Sequence, residues 1–520
     1  MTGPAAAGVN EHFIASRALF DTTLSFLDGA QAAGLEHAEL ETELEVHGRQ
    51  LLRQLLQDHL ELRAQREHRL PEVLDADQVP HGSVETGHTR VLTTVFGEVT
   101  ATRLAYRRRG HANLYPADAA LNLPAEKHSH GLRRLAAVEA ARGSFDDTAE
   151  AIERATGVRL GKRQVEQLAG RAAVDVEGFY AQHRPPPGAG RDVLVLSVDG
   201  KGIVMRPEAL RPATVKAAAS ATTKLSTRLS KGEKRNRKRL AEVGAVYDAA
   251  PVVRTPADIL ARGQDTKQDT DPERPAQAPG EAPVEAPVEA PVATNKWLTA
   301  SVTDDAATVV GRIFDEADRR DPTHARTWIA LVDGNNHQID RIQTEATQRG
   351  VEVTILCDLI HVLEYLWKAA WSFHQEGDPT AEQWVHDKAT AVLAGKATQV
   401  AAGLRRTATR RSLNPQKRAG ADACATYLIN KERYLDYPTA LHNGWPIATG
   451  VIEGACRHLV KDRMDITGAR WGLPGAEAIL KLRALRSNGD FDAYWHYHLE
   501  QERRRVHESR YRNGVIPHAA

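Results

Sequence analysis

Long amphipathic stretches alternate along this chain with short runs that are apolar on both faces. Residues 10–70 read as helix, with Leu40, Leu44, Leu51, Leu55 and Leu62 near one face and Glu and Arg around them. Such a stripe packs on its own domain or, less commonly, on a second copy of the helix. Residues 88–107 alternate in steps of two around Phe96-Gly97-Glu98, which predicts a β-hairpin. Residues 131–181 predict a helix, a turn at Gly157 and a second helix that opens on Lys162, Arg163, Gln164 and Val165. This is helix-turn-helix spacing, although helical hairpins with a glycine turn also occur in proteins that never touch DNA. Pro185-Pro186-Pro187-Gly188 reads as a stiff linker.

After the linker the pattern changes. Leu194–Val198 and Trp328–Val332 are apolar without alternation, as strands inside a sheet are. Each runs into Asp-Gly, at Asp199-Gly200 and Asp333-Gly334, which predicts a carboxylate at the sheet rim beside a glycine turn. Val204-Met205 and Ala241–Tyr247 are expected to pair back as further strands. A helix over 302–320, a strand over 327–333, a helix over 336–349 and a strand over 351–357 continue a β-α-β alternation. Residues 359–445 read as helical and carry Arg405, Arg406, Arg410, Arg411, Lys417 and Lys431. The stretch 263–296, with Glu-Ala-Pro-Val repeated over 281–292, cannot supply a core and is expected to be a disordered Pro-rich loop.

The expected organisation is α+β and multidomain. It comprises a helical N-terminal region (1–85), a β-hairpin segment (86–130) and a helix-turn-helix-like DNA-binding domain (131–185). An α/β core follows (186–262 and 297–376), interrupted by the loop and followed by a helical block (377–445). A helix bearing Glu453 (446–490) and a C-terminal tail (491–520) complete it.

Composition narrows the choice of class. The 520 residues hold 68 basic and 68 acidic side chains, whereas a DNA-handling protein is usually basic. The distribution matters more than the sum, because acid concentrates in the first 90 residues and in 263–292. Cys357, Cys424 and Cys456 are too far apart for a disulfide framework or zinc knuckle, so a reduced, cytoplasmic setting is expected. The basic turn Tyr106–His111 contains no cysteine, and no zinc site is predicted there. Neither a signal peptide nor a membrane span is expected.

The candidate chemistry centres on three carboxylates. Asp199, Asp333 and Glu453 are spaced by 134 residues (199 to 333) and 120 (333 to 453). Two divalent ions about 3.5–4 Å apart need several hard oxygen ligands converging from different elements. Any one of these acids alone is more often a cap or turn residue. The run Lys224–Arg239, with Lys234, Arg235, Arg237 and Lys238 at its end, reads as a phosphate-binding loop or as a solvated face. Glu453, Arg457 and Lys461 share a face if 451–463 is a regular α-helix, placing two cations beside the acid or forming an intrahelical pair. Arg470 and Trp471 could stack on a splayed base, and Trp471 suits a core equally well. Asp358 and His361 read as a pair supporting the site, or as a helix cap and its neighbour. Asn335, Asn336 and His337 open the helix after Asp333 as water contacts or caps.

Three segments, Leu196-Ser197-Val198-Asp199-Gly200-Lys201-Gly202, Leu331-Val332-Asp333-Gly334-Asn335-Asn336 and Thr449-Gly450-Val451-Ile452-Glu453-Gly454, precede a coda, Gly468-Ala469-Arg470-Trp471-Gly472. In this order they resemble bacterial insertion-sequence transposases of the Kra type, relatives of the Mutator-like DDE transposases. The resemblance covers about residues 85–490. It implies a ribonuclease-H-like catalytic core with a helical insertion before the Glu, and Asp199, Asp333 and Glu453 as catalytic metal ligands. Asp358-x-x-His361 resembles the Asp/Cys-x-x-His pair of the Mutator-like enzymes. The implied activity is cleavage and transfer of double-stranded DNA at inverted-repeat ends, with Mg2+ or alternatively Mn2+. The implied partners are transposon ends and target DNA, bound by a homodimer or higher homo-oligomer in the bacterial cytoplasm, nucleoid-associated and without a membrane. Two other readings stand beside it. One is a nuclease of the same core that cuts without strand transfer. The other is a catalytically inactive helix-turn-helix DNA-binding protein, against which the presence of all three acids argues.

Overall fold

The N-terminal segment expected as one helix folds as two long helices joined by a short helical turn at Ala30–Ala33, and all five leucines of the stripe lie on the second. Gly29, in an extended conformation, ends α1 (Ile14–Asp28), and α2 (His37–Gln65) starts after Gly34. Buried Asp58 on α2 accepts both the backbone N–H (3.1 Å) and the hydroxyl (2.6 Å) of Ser16, tying the two together. The buried stripe differs from the one expected. Leu44 and Leu55 are exposed, while Leu60, with Leu56, packs on Leu92, Val99 and Ala101 of the hairpin. That hairpin is β1 (Ser83–Thr94) and β2 (Gly97–Arg107), closed at Thr94↔Gly97 where Gly97 takes φ +113°.

The computed structural model describes residues 11–185, 188, 190–220, 237–265, 289–466 and 468–518. The chain is α+β and divides into two units, Met1–Gln182 with Gly489–Ala520, and His183–Asn488. In the first unit α3 (His130–Arg142) turns Ala136, Ala137, Ala140 and Ala141 inward against α4 (Phe145–Thr156) and α5 (Lys162–Ala172), and α6 (Val176–Gln182) follows. Gly157 ends α4 in the left-handed conformation at φ 70°, as the sequence predicts. The segment expected to be a C-terminal tail is instead part of this core. The helix Phe491–Val506 buries Tyr494 and Trp495, and Tyr511 and Ile516 join Leu70, Val73, Tyr106 and Leu114. Its apolar residues at 491, 494 and 495 form a helical stripe, which is why it needs a partner surface.

The second unit is built on one mixed sheet in the order β5-β4-β3-β6-β7. Its strands are β3 (Val193–Val204), β4 (Lys238–Ala249), β5 (Ala293–Ser301), β6 (Trp328–Val332) and β7 (Val353–Cys357). β3, β4 and β5 are antiparallel, whereas β3, β6 and β7 run parallel. β6 is buried at every position, which explains its unbroken apolar run. Gly244 of β4 lets α7 (Ala306–Arg320) approach, since a Cβ there would meet Ile313 at 2.5 Å. Connecting helices include α8 (Asn336–Arg349), between β6 and β7, and α9 (Leu359–Ala370), after β7. Further helices from Thr380 to His442 form the expected helical block.

One strand boundary differs. Asp199-Gly200 is no turn, because β3 continues unbroken to Val204 and pairs with β4 throughout, from Val193↔Ala249 to Val204↔Lys238. Val204 is therefore the end of the same strand. Gly200 is there for space: a Cβ would come within 2.8 Å of the Leu240 side chain. Most of the Pro-rich loop (266–288) and of the basic run (221–236) lie outside the described residues. Among the described residues, no helix is long and apolar enough to cross a membrane.

Candidate functional site

The site forms where the parallel pairing of β3 and β6 ends. β6 and β3 are in register from Leu194↔Trp328 to Ser197↔Leu331, so Asp199 and Asp333 emerge from adjacent strands in the same direction. Gly334, at φ +92°, makes the turn after Asp333 and leaves room for Tyr427, whose hydroxyl donates to the Asp333 carbonyl at 3.1 Å. One Asp333 carboxylate oxygen accepts the Asn335 N–H at 2.7 Å. Asp199 accepts its neighbour's N–H, from Gly200 at 2.6 Å, and the Cys456 thiol at 3.3 Å. Burial and the Asp199 charge push that thiol upward, so it remains a donor.

Glu453 reaches the same place from a helix, α10 (Gly450–Ala455). Its approach is set by Asp358, at the N-cap of α9 and fully buried. Asp358 N–H donates to the Val332 carbonyl at 2.8 Å, anchoring the end of β7 to β6. Its carboxylate accepts from Ile360 N–H (3.0 Å), Thr449 N–H (3.2 Å) and the Thr449 hydroxyl (2.5 Å). Thr449 in turn accepts the Glu453 N–H at 3.1 Å. Asp358, His361 and Glu453 each bring one ligand atom to within 4.8 Å of the others, a group that could hold a metal ion. Asp199 and Asp333 lie beside this group and outside it.

The electrostatics tie these acids to one another. Burial raises the Glu453 carboxyl above its ordinary range, the charges of Asp358, Glu364 and Asp199 add to this, and His361 opposes it. The hydrogen bond to Asp358 (3.5 Å) raises the His361 imidazole, with a further contribution from Asp333. Close-set carboxylates of this kind repel one another unless protons or cations intervene.

Sequence reasoning missed four members of this neighbourhood. Glu242 on β4, opposite Gly200, is buried, and its carboxyl is raised by burial and by Asp199 while Arg211 opposes. Thr449 and Cys456 bind the two aspartates, and the charge of Lys201 acts on the Cys456 thiol. Lys201 lies two residues after Asp199, and that proximity was the one signal that could have found it.

Other predicted residues are placed differently. Residues Cys456–Lys461 form a π-helical turn, so Glu453, Arg457 and Lys461 do not share a face as they would in an α-helix. Arg457 pairs with Asp462 at 3.9 Å, five residues on, and both Arg457 and Lys461 are exposed. Trp471 is core: its indole N–H donates to the Met464 carbonyl (3.0 Å), and the Arg463 guanidinium lies 4.7 Å over its ring. Its backbone pairs with Val204 and Arg206 at the end of β3, and its burial leaves the ring no free face to stack on a base. Arg470 is exposed. Asn335 caps α8 through the His337 N–H at 3.0 Å, and Asn336 takes the Lys431 ammonium. Arg237 and Lys238 lie at the start of β4, whereas Lys234 and Arg235 lie outside the described residues. In the first unit Arg163 is exposed, Lys162 pairs with Asp146, and Gln164 accepts the Gly161 N–H at 2.9 Å as part of the α5 cap. Neither protein-family models nor curated proteins match this chain.

Proposed function

We propose that this chain is a DDE transposase of the insertion-sequence type, with the β3–β7 unit as a ribonuclease-H-like catalytic core. The observation that carries this reading is the neighbourhood of three acids: Asp199 and Asp333 stand on adjacent strands in register, and Glu453, which feels the Asp199 charge, groups with Asp358 and His361. The three acids come from the middle strand, the adjacent parallel strand and a helix docked on both through Asp358 and Cys456. The strand order, three antiparallel strands followed by two parallel ones, supports it. α4 and α5 are read as the helix-turn-helix that recognises the inverted-repeat ends.

The donor set fits a hard divalent cation. Carboxylate oxygens dominate, and the charges of Asp358, Glu364 and Asp199 add to burial in raising the Glu453 carboxyl, a gathering of negative charge that a cation would offset. Asp199, Asp333, Glu453 and the Asp358–His361 pair would hold Mg2+ or Mn2+. Bound there, such ions supply Lewis-acid stabilisation for in-line displacement at phosphorus by water or a 3′-hydroxyl. Asp358 and Thr449 fix the approach of Glu453, while Cys456 fixes the Asp199 carboxylate. Lys201 and the exposed Arg457, Lys461 and Arg470 are read as phosphate contacts. The partners are transposon-end and target DNA, held by a homo-oligomer.

The test is incubation of the purified chain with a labelled transposon-end duplex, target DNA and Mg2+. Cleavage at the end followed by joining is expected. Cleavage without joining would assign a nuclease instead, and binding with neither would assign a DNA-binding protein.

A further inference from the structure

We propose that Asp75, His81 and His111 form a Zn2+-type site in the N-terminal unit, one that clamps the loop before β1 to the exit of β2. Asp75 and His81 lie between α2 and β1, and His111 follows β2. One carboxylate oxygen, Asp75 Oδ2, stands 3.2 Å from His81 Nε2 and 3.0 Å from His111 Nδ1. All three ligand atoms lie within 4.8 Å of one another. Four ligands at about 2.0–2.1 Å from Zn2+ stand about 3.3 Å apart in a tetrahedron, so this spacing is close to what the ion requires.

The hydrogen bonds around the triad point the same way. His81 Nδ1 is 3.1 Å from the Tyr106 carbonyl, which can only accept, so Nδ1 carries a hydrogen. In the neutral ring the lone pair is then on Nε2, facing the Asp75 oxygen. Two acceptors at 3.2 Å require a proton or a metal cation between them. A ring whose far N–H donates to a backbone carbonyl is how metal-bound histidines are commonly oriented. The Asp75 carboxylate is fixed as well, because its other oxygen accepts from Asp77 N–H (3.0 Å) and Val79 N–H (2.9 Å). The His81 side chain is fully buried, while His111 is 37% exposed and leaves a side open to water as a fourth ligand.

Two imidazoles and a carboxylate select a borderline ion such as Zn2+ or Co2+ over Mg2+. The role is structural. The clamp would hold the loop against the cluster of Leu70, Val73, Tyr106 and Leu114, to which Tyr106 is already bound through its hydroxyl and the Leu70 N–H at 2.7 Å.

The full-length chain, stripped with chelator, is titrated with Co2+. The expected result is one ion with the strong visible absorption of tetrahedral Co2+, displaced by Zn2+, and a Tm that rises with Zn2+. His111→Gln, at an exposed position that leaves no cavity, should weaken binding by more than about 100-fold, beyond the 10–100-fold typical of losing an outer partner. It should also abolish the Zn2+-dependent rise in Tm. His361→Gln, in the other unit, should retain both signals. The inference is overturned if the wild type gives no tetrahedral band, if the band survives His111→Gln, or if His361→Gln removes it.

Discussion

The Thr449 hydroxyl donates to the buried Asp358 carboxylate at 2.5 Å, and through this contact the end of β7 sets where the helix bearing Glu453 begins. Asp358 and Thr449 therefore act as positioning residues in the proposed mechanism. Thr449→Val keeps the side-chain volume but removes that donor from a buried carboxylate, which should cost about 1–3 kcal/mol of stability. Mg2+-dependent cleavage should fall with the apparent Mg2+ requirement raised, and excess Mg2+ should restore part of it. A variant with unchanged Mg2+ dependence would show that the contact only stabilises the fold.

Asp199→Ala, Asp333→Ala and Glu453→Ala should each abolish strand cleavage and leave DNA affinity nearly intact. Metal stabilisation of the transition state is worth several kcal/mol, and each 1.4 kcal/mol is tenfold, so losses of at least about 10³-fold are expected. In the proposed mechanism DNA affinity comes mainly from phosphate contacts elsewhere. Cleavage within tenfold of the parent in any one variant would remove that residue from the site.

The core was legible where one strand decides its own pattern. Val193–Val198 and Trp328–Val332 are buried on both faces, so their apolar runs mark a central sheet without knowledge of partners. Gly334 also behaved as the sequence implied, because a positive φ is a local property. Gly200 did not, since its small size answers to Leu240 on the neighbouring strand. Glu242 was illegible for the same reason: only the β3–β4 register puts it opposite Gly200. The π-helical turn at Cys456–Lys461 defeats any reading based on a period of 3.6, and so the alignment of Glu453, Arg457 and Lys461 fails. Trp495 and Tyr511 look like tail residues until a surface more than 300 positions earlier covers them.

The first unit should lose stability in mild acid. Burial, reinforced by the adjacent Arg133 guanidinium, holds the His130 imidazole down at about 4, and its Nε2–H donates to the Asn122 carbonyl at 2.8 Å. The unfolded chain takes up this proton near pH 6.5, before the folded one does. Stability is therefore complete above 6.5 and is lost as pH falls from 6.5 towards 4. The gap corresponds to roughly 3 kcal/mol at most. His128 and His507, both lowered chiefly by burial, act in the same direction. Thermal unfolding of the wild type and His130→Gln at pH 7 and pH 5 tests this, and the variant should lose less stability between the two. Parallel shifts in both proteins would refute it.

The C-terminal helix should be essential to the N-terminal unit. Trp495 is 5% exposed, and the Tyr494 hydroxyl donates to the Ala172 carbonyl at 2.5 Å. Trp495→Ala should destabilise the unit by about 3–5 kcal/mol. Truncation after Asn488 should abolish its cooperative unfolding. A truncated chain that retains the unit's full transition would show the helix to be dispensable.

Two different surfaces should carry two different kinds of DNA binding. Arg163 is exposed on α5, a regular helix whose opposite face buries Val165 and Leu168, so it can present a side chain to a groove at a fixed angle. Gln164 cannot do so freely, because its carbonyl oxygen caps the helix through Gly161 N–H. Arg163→Ala should therefore narrow the preference for the cognate end over random duplex by about 1–3 kcal/mol, the discrimination of one base-reading arginine. Gln164→Ala should instead cost about 1 kcal/mol of stability. Neutralising Lys234, Arg235, Arg237 and Lys238 together should weaken binding to every sequence alike, because a basic run without the apolar spacing of a reading helix grips phosphates without reading bases. The salt dependence should flatten by up to about 0.9 slope units for each phosphate that is no longer neutralised. Competitive binding at two salt concentrations separates these effects. Loss of specificity in the cluster variant, or loss of general affinity alone in Arg163→Ala, would reverse the assignment of the two surfaces.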